Sequence, residues 1–231
     1  MKTLRSFLIC CTITLLSTTV AQAQTTMTIK SQYGQAWQQQ PPLSLRSSDK
    51  ELNIPHYSFN VEVFKPINDH FAIGAAPGFS RRGTEFEFGF LNGFFVGASF
   101  RARLFLNYLE LPFLAKIETN IFRKLTVHGQ FGAGLSYLAG GYREATTIGS
   151  EATTTTQDLD FEFSDAELSR IDFGGYGSLG LGYPIGNGQI ILSGNYYYGF
   201  VDVDQKNESL NRNWGVGLGY QFPLSKANDE D

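Results

Sequence analysis

Six ionisable or phenolic side chains lie in segments where every second residue is small or polar. They are Glu62, Tyr108, Glu110, Lys116, His128 and Asp172. Brought together, such groups could act as a proton or ion relay, or as a catalytic acid and base. The alternative is an ion-pair network that holds a narrow interior shut, because a buried charge without a partner is costly. We predict the ion-pair network.

A serine hydrolase would need a serine within hydrogen-bond reach of a histidine. The chain has only His56, His70 and His128, and no nucleophile motif flanks any of them. His56 and His70 also lie at the ends of predicted strands. We therefore expect no catalytic residues and no enzymatic activity.

The first 23 residues have the plan of a secretory signal peptide. Lys2 and Arg5 precede an apolar stretch at 7–16, and Ala21-Gln22-Ala23 is a small-x-small cleavage site. The stretch is too short to remain in a bilayer as an anchor. We expect Sec-type export and a mature chain that begins at Gln24.

The two cysteines, Cys10 and Cys11, lie inside this leader and suggest a lipoprotein signal as the alternative. A lipid-bearing cysteine would follow the apolar stretch, whereas these two are within it. Cleavage leaves a mature chain without cysteine, which excludes disulfides, thiolate metal sites and a cysteine nucleophile. We predict no cofactor or metal. The net charge of −4 and the lack of a basic cluster give nucleic-acid binding no electrostatic support.

Patterns with a period of two position the candidate residues on strands. The predicted strands cover residues 27–34, 56–65, 71–82, 101–117, 124–138, 170–183, 189–201 and 212–222. The connections between them alternate between short ones (65–70, 117–124, 184–189) and long polar ones (36–55, 83–100, 139–169, 202–211). Strands that pass up and down through an outer membrane have this rhythm, with the short turns in the periplasm.

One face of most of these strands is bulky and apolar, and the other is small or polar. The small face is rich in Gly and poor in Lys, Glu and Arg, which suits a crowded lumen better than a wet exterior. Aromatic residues near strand ends fit an interfacial girdle. These are Tyr137, Tyr183, Tyr196, Tyr198, Trp214 and Tyr220. A soluble secreted barrel that binds an apolar ligand, as lipocalins do, would bury the bulky face instead.

We predict an all-β fold, an eight-stranded antiparallel up-and-down transmembrane β-barrel at 24–223, followed by an acidic tail at 224–231. An interior of this size is nearly filled by side chains, so we expect no open pore. Bulges are expected upstream of Asn107 and near Pro77 and Pro112, since proline lacks a ladder donor. Segments 85–88 and 158–163 alternate acidic with apolar residues and are expected to extend strands beyond the bilayer.

The long connection at 139–169 is acidic, with Arg143 as the only basic residue before Arg170. Its carboxylates are expected to form a solvated face. Divalent cations that join it to lipopolysaccharide phosphates are the alternative, because hard cations prefer carboxylate oxygens. The spacing of an EF-hand loop is missing.

Segment 107–116, Asn-Tyr-Leu-Glu-Leu-Pro-Phe-Leu-Ala-Lys, resembles the signature strand of PorT-like outer-membrane β-barrel proteins from Bacteroidetes-type bacteria. Gly-rich segments at 71–83, 131–134 and 172–174 are similar to neighbouring strands of that family, and the likeness spans 27–222. It implies an eight-stranded barrel in contact with outer-membrane lipid and lipopolysaccharide. Such barrels end on an aromatic residue that the barrel assembly machinery reads, best matched here by Phe222, although this chain continues past it.

From these patterns we expect a non-enzymatic protein in the outer membrane of a Gram-negative bacterium. It would present extracellular loops that bind an envelope partner or support envelope integrity. A narrow channel or an accessory of a secretion system is the first alternative, and it would require inward polar residues that form a continuous path. The soluble secreted barrel is the second alternative.

Overall fold

The computed structural model describes residues 24–39, 50–89, 99–122, 124–148, 153–158, 168–204 and 209–224. The predicted signal peptide, nearly all of the acidic tail and most of the predicted extension at 158–163 lie outside these residues. Within the described ranges, none of the chain forms a helix able to cross a membrane.

The described chain forms eleven strand segments. They are β1 (Thr26–Gln39), β2 (Lys50–Leu52), β3 (Ile54–Pro66), β4 (Phe71–Ala75), β5 (Gly78–Gly89), β6 (Ser99–Phe122), β7 (Leu125–Ile148), β8 (Thr153–Asp158), β9 (Ile171–Ile185), β10 (Gly188–Asp204) and β11 (Ser209–Pro223).

Eight antiparallel staves close into a ring, where a stave is one position in the barrel wall. The order is β1, β3, β4 with β5, β6, β7, β9, β10 and β11, which pairs again with β1. β4 and β5 are two halves of one stave, because both pair with β3 and β6. β2 and β8 pair with β5 and β7. The predicted eight-stranded barrel is confirmed.

The barrel wall carries its bulky apolar side chains on the outside. Leu179, Phe113 and Leu218 are 73%, 63% and 61% exposed. Charged groups such as Lys30 and Glu62 are buried inside instead. This arrangement is unfavourable in water but suits a hydrocarbon surrounding, where apolar exterior groups and a polar interior belong.

β6 and β7 are much longer than predicted, at 24 residues each. A transmembrane strand needs about 10 residues, so both strands continue well beyond the bilayer. They do so on the side of the long connections, together with β5, β2 and β8. We call residues 84–89, 99–104 and 143–148 of β5, β6 and β7, with β2 and β8, the extension sheet. The strand extension predicted at 85–88 is confirmed.

One predicted bulge is confirmed and two are wrong. The register between β6 and β7 shifts at Asn107/Tyr108, where Ala139 is the extra residue. Across Pro112 the same register is unbroken, with Pro112 opposite Gly134. Across Pro77 the two halves of the stave keep one common register with both neighbours.

The prolines interrupt hydrogen bonds rather than add a residue. The N–H of Ala76 donates to the Pro112 carbonyl at 3.0 Å, and the N–H of Val61 donates to the Pro77 carbonyl at 3.0 Å. Neither proline can return the second bond of its pair. Each pair therefore keeps one bond of two, and the stave divides into β4 and β5 at Ala76 and Pro77.

The barrel closes between β1 and β11, in a ladder that runs from Thr26 opposite Pro223 to Gln39 opposite Leu210. The N–H of Leu224 donates to the Thr25 carbonyl at 2.9 Å. The start of β1 and the end of β11 therefore meet at the short-turn end of the barrel. β1 was the most weakly predicted strand, because Ser31 interrupts its apolar face.

Candidate functional site in the barrel lumen

The lumen is crossed near the long-loop end by a cluster centred on Arg82 of β5. Its Nη1 lies 2.8 Å from Asp172 Oδ2 of β9, and its Nη2 forms an ion pair with Glu110 of β6. The guanidinium also lies 3.6 Å from the centre of the Tyr197 ring of β10. We call these four residues, with Tyr108 and Asn211, the upper network. It ties five staves, β5, β6, β9, β10 and β11, together across the lumen.

The carboxylates of the upper network have further donors. The Nδ2 of Asn211 donates to Asp172 Oδ2 at 2.9 Å and to the Tyr108 hydroxyl at 3.1 Å. The hydroxyl of Ser80 donates to Glu110. Asp172 and Tyr108 are fully buried. Buried charges are tolerated when they are paired and hydrogen-bonded. Arg82, Glu110 and Asp172 each have a charged partner and a hydrogen bond, while Arg82 Nε and Asp172 Oδ1 bond to no described residue.

Glycines on the inner wall make room for these large side chains. A Cβ at Gly174 would lie 2.5 Å from the ring of Tyr197, and one at Gly180 would lie 2.3 Å from Nε2 of His128. Both distances are far below van der Waals contact. The Gly-rich inner face is thus a steric condition for filling a barrel of eight staves with aromatic rings.

A second polar layer, the lower network, lies closer to the short-turn end. Lys30 of β1 forms an ion pair with Glu62 of β3, and its Nζ donates to Asn195 Oδ1 at 3.3 Å. The Nε2 of Gln130 donates to Glu62 Oε2 at 2.9 Å. This layer links staves on opposite sides of the lumen.

Lys116 forms the last charged contact before the short-turn end. Its Nζ lies 2.5 Å from Glu118 Oε2 and donates to Gln221 Oε1 at 2.7 Å. His128 is buried on the neighbouring stave, and its ring nitrogens bond to no residue that the structure describes.

Little free space remains between the two networks. The cavity there has a volume of about 50 Å³ and is lined by both ion pairs, including Arg82, Glu110, Lys30 and Glu62. A space of this size holds a few water molecules at most. A wider recess of about 540 Å³ lies at the short-turn end, beside Lys116. The described lumen is therefore plugged at its centre and indented at one mouth.

The six predicted lumen residues all lie on the inner wall, but not in one network. Tyr108, Glu110 and Asp172 meet in the upper network, while Glu62 belongs to the lower network. Lys116 pairs with Glu118 and not with Glu110. Their role as a lumen seal stays a proposal.

Sequence reasoning missed the two cations that organise the layers, Arg82 and Lys30. The signal was present, since Arg82 follows Gly78 and Ser80 at a period of two, on the inward set of its strand. Lys30 holds the same relation to Thr28. The sequence prediction omits both residues, because it takes the inner face to be poor in basic residues.

The six predicted interfacial aromatics all face outward and are between 38% and 49% exposed. They are Tyr137, Tyr183, Tyr196, Tyr198, Trp214 and Tyr220. Tyr183 and Tyr220 lie level with Ile190 near the short-turn end, and Tyr198 lies eight residues further along β10. At about 3.3 Å per residue this separates the two levels by roughly 26 Å along the strand. Their contact with lipid headgroups stays a prediction.

His56 is held by amide groups on both sides. Its Nδ1 lies 2.6 Å from the Arg81 carbonyl, and its Nε2 lies 2.8 Å from Gln32 Nε2. Among the described residues, no group of three or more His, Cys, Asp or Glu side chains is placed to hold a metal ion. What the lumen geometry provides is charge pairing across the barrel.

A closed ring of eight antiparallel staves, with an apolar exterior and a charge-paired interior, defines a transmembrane β-barrel of the outer-membrane class. The sequence model of the outer membrane protein beta-barrel domain matches residues 36–205, and the chain belongs to this family. Membership places it in the outer membrane of a Gram-negative bacterium.

Several solved outer-membrane barrels are similar in structure. Ail, the attachment invasion locus protein of Yersinia pestis, shares 14% identity over 86% of this chain and 99% of its own, with a TM-score of 0.39. Neisserial surface protein A shares 14% over 86% and 97%, with a TM-score of 0.42. OprG from Pseudomonas aeruginosa shares 10% over 88% and 98%, with a TM-score of 0.44. Among curated proteins, none matches the chain.

Proposed function

We propose that this chain is a non-enzymatic outer-membrane protein whose barrel is a sealed anchor for its extension sheet. The sheet would act outside the cell, where it binds an envelope partner or supports envelope structure. The observation that carries the proposal is the lumen, in which two charge-paired layers enclose a cavity of only about 50 Å³.

The extension sheet has its own ion pairs. Glu85 lies 3.0 Å from Arg101 Nε and 2.7 Å from Arg103 Nε. Arg101 also pairs with Glu87 at 3.2 Å, and Arg103 with Glu144 at 3.9 Å. These contacts run across β5, β6 and β7 and give the sheet a defined charged face. We propose that this ion-paired face is the part that recognises the partner.

Conductance of the purified, refolded protein in planar bilayers tests the sealed lumen. We expect no steady current, because an ion would have to displace Arg82 from two carboxylates. Folding in the same lipid is checked by the mobility of the unboiled protein on a gel. A steady current from the folded protein would contradict the seal and favour a narrow channel or a secretion accessory.

Three finer assignments are also our proposals. The resemblance at 107–116 supports a place among PorT-like barrels, without extending a role in secretion to this chain. Lys2, Arg5 and the Ala21-Gln22-Ala23 site support Sec-type export with cleavage before Gln24. The intact mass of the mature protein checks this site, since a retained leader or a lipid would add mass. Phe222 at the end of β11 supports recognition by the barrel assembly machinery.

A further inference from the structure

A groove of about 540 Å³ runs across the outer wall of the barrel, over β5, β3, β1, β11 and β10. Ser31 forms its floor, because this small side chain lies opposite Phe59 on one neighbouring strand and Leu218 on the other. Tyr57 and Phe79 line the groove at the end nearer the long loops. Its lining is mostly apolar, so it fits a flexible hydrocarbon chain.

Arg81 lies directly above this end of the groove. Its guanidinium is 4.7 Å from the ring of Tyr57, 5.6 Å from that of Phe105 and 5.3 Å from that of Tyr142. The Nε donates to Asn107 Oδ1 at 3.1 Å, and Nη1 donates to the Tyr142 hydroxyl at 3.1 Å. Three rings and two hydrogen bonds therefore fix the position of this cation.

The charge of Arg81 is not balanced within the described chain. No carboxylate of a described residue forms an ion pair with it, whereas Arg101 and Arg103 have Glu85, Glu87 and Glu144. A fixed guanidinium without a carboxylate suits an external anion, and its planar fork matches phosphate.

The height of Arg81 matches the outer boundary of the bilayer. It lies ten residues beyond Phe71, which begins the same stave at the short-turn end. With about 3.3 Å per residue and a strand tilt of about 40°, this is roughly 25 Å above the inner boundary. The apolar band of an outer-membrane barrel has about the same height. Arg81 is thus level with lipid phosphates of the outer leaflet.

We propose that Arg81 and the groove over Ser31 form a binding site for lipid A, the phosphorylated lipid of the outer leaflet. A phosphate of lipid A bonds to the Arg81 guanidinium, and one acyl chain lies in the groove along Ser31 and Phe59. The aromatic residues around Arg81 keep its charge at the rim, and the dent at Ser31 accepts the chain. This site is separate from the lumen and does not depend on the proposed seal.

Binding is measured with the full mature chain, refolded in nanodiscs of phosphatidylcholine, by counting bound lipid A in native mass spectrometry during a titration. Arg81→Gln is expected to weaken the binding of lipid A by about tenfold, since a charge-assisted bond is lost. Ser31→Phe, which fills the groove, is expected to weaken lipid A and dephosphorylated lipid A alike. The matched control is Arg143→Gln, which removes an exposed arginine outside the groove and leaves the affinity unchanged.

Equal losses in Arg81→Gln and Arg143→Gln would mean general charge attraction and would overturn the site. Dephosphorylated lipid A that binds wild type as tightly as lipid A would overturn the role of the phosphate. If Arg81→Gln does not fold, Arg81→Lys takes its place, because it keeps the charge and loses the fork. Wild-type affinity in Arg81→Lys would then contradict the proposal, as would preference for a phospholipid of equal charge.

Discussion

Arg82 illustrates how one residue can join several staves of a membrane barrel. Its two carboxylate partners and the ring of Tyr197 come from three other staves. Removal of the cation alone leaves Glu110 and Asp172 without their counter-charge in a buried site. Removing one partner of a buried ion pair destabilises a protein by more than the pair contributes to its stability, because the remaining charge stays desolvated.

Arg82→Met is therefore expected to lower the free energy of unfolding by about 3–5 kcal/mol, measured by urea titration in phospholipid vesicles. The control is Arg103→Met, whose ion pairs are partly exposed and should cost about 1 kcal/mol or less. Adding Glu110→Gln and Asp172→Asn to Arg82→Met should recover part of the loss. Equal effects of the two single variants would show that the upper network does not stabilise the barrel.

Alternation in the sequence predicts which side chains enter the lumen, but not which of them meet. Glu110 and Lys116 share the inner face of β6, yet Lys116 pairs with Glu118. The partner depends on strand tilt and on the register of neighbouring staves, and neither is encoded in the pattern of one strand. The positions of Arg82 and Lys30 in the alternation place both residues on the inner face. The prediction omits them because it expects few basic residues there.

At the scale of the element, the period-two pattern predicts where the barrel staves lie, but it does not predict where the longest strands end. The predicted strands at 101–117 and 124–138 became β6 and β7 with 24 residues each. Beyond the bilayer both faces of these strands are polar or mixed, so the signal of alternation fades while the ladder continues. The predicted bulges at Pro77 and Pro112 are wrong for a different reason. The sheet tolerates the hydrogen bond that each proline cannot make, and the register does not change.

The extension sheet contains Glu85, a buried carboxylate that forms ion pairs with Arg101 and Arg103 and accepts a hydrogen bond from Arg103. Glu85→Gln is expected to speed amide hydrogen exchange in residues 84–87 and 100–104 by roughly tenfold to a hundredfold, as charged hydrogen bonds are weakened. Exchange in the barrel staves should not change. Glu87→Gln is the control and should change exchange by about twofold, since the side chains of its ion pair are each 32% exposed.

If exchange in the staves rose together with that of the sheet, the extension and the barrel would be one cooperative unit. The two parts would then not open separately, and the extension could not be treated as a platform on an independent anchor.

For the whole molecule, the outward direction of the bulky side chains decides the environment. Val216 lies midway along β11, at equal distance from the levels of Tyr220 and Tyr198, and faces outward. Ile185 faces outward at the short turn before β10. The two residues therefore sample different depths of a bilayer on one barrel wall.

Val216→Arg is expected to destabilise the barrel by about 2–4 kcal/mol in phospholipid vesicles, because the charge is placed near the midplane. Ile185→Arg should cost about 1 kcal/mol or less, because its charge reaches the interface. Unfolding by urea measures both. Equal costs at the two depths would contradict the membrane orientation of the barrel.

The ladder between β1 and β11 has a consequence for how long the folded molecule lasts. The first and last staves are hydrogen-bonded to each other along the ladder, so the barrel wall has no edge strand from which the staves could separate one by one. We therefore expect unfolding to require the rupture of this continuous ladder, and we expect the height of that barrier to set the lifetime. Persistence in the envelope is thus a kinetic property, fixed once the first stave has met the last.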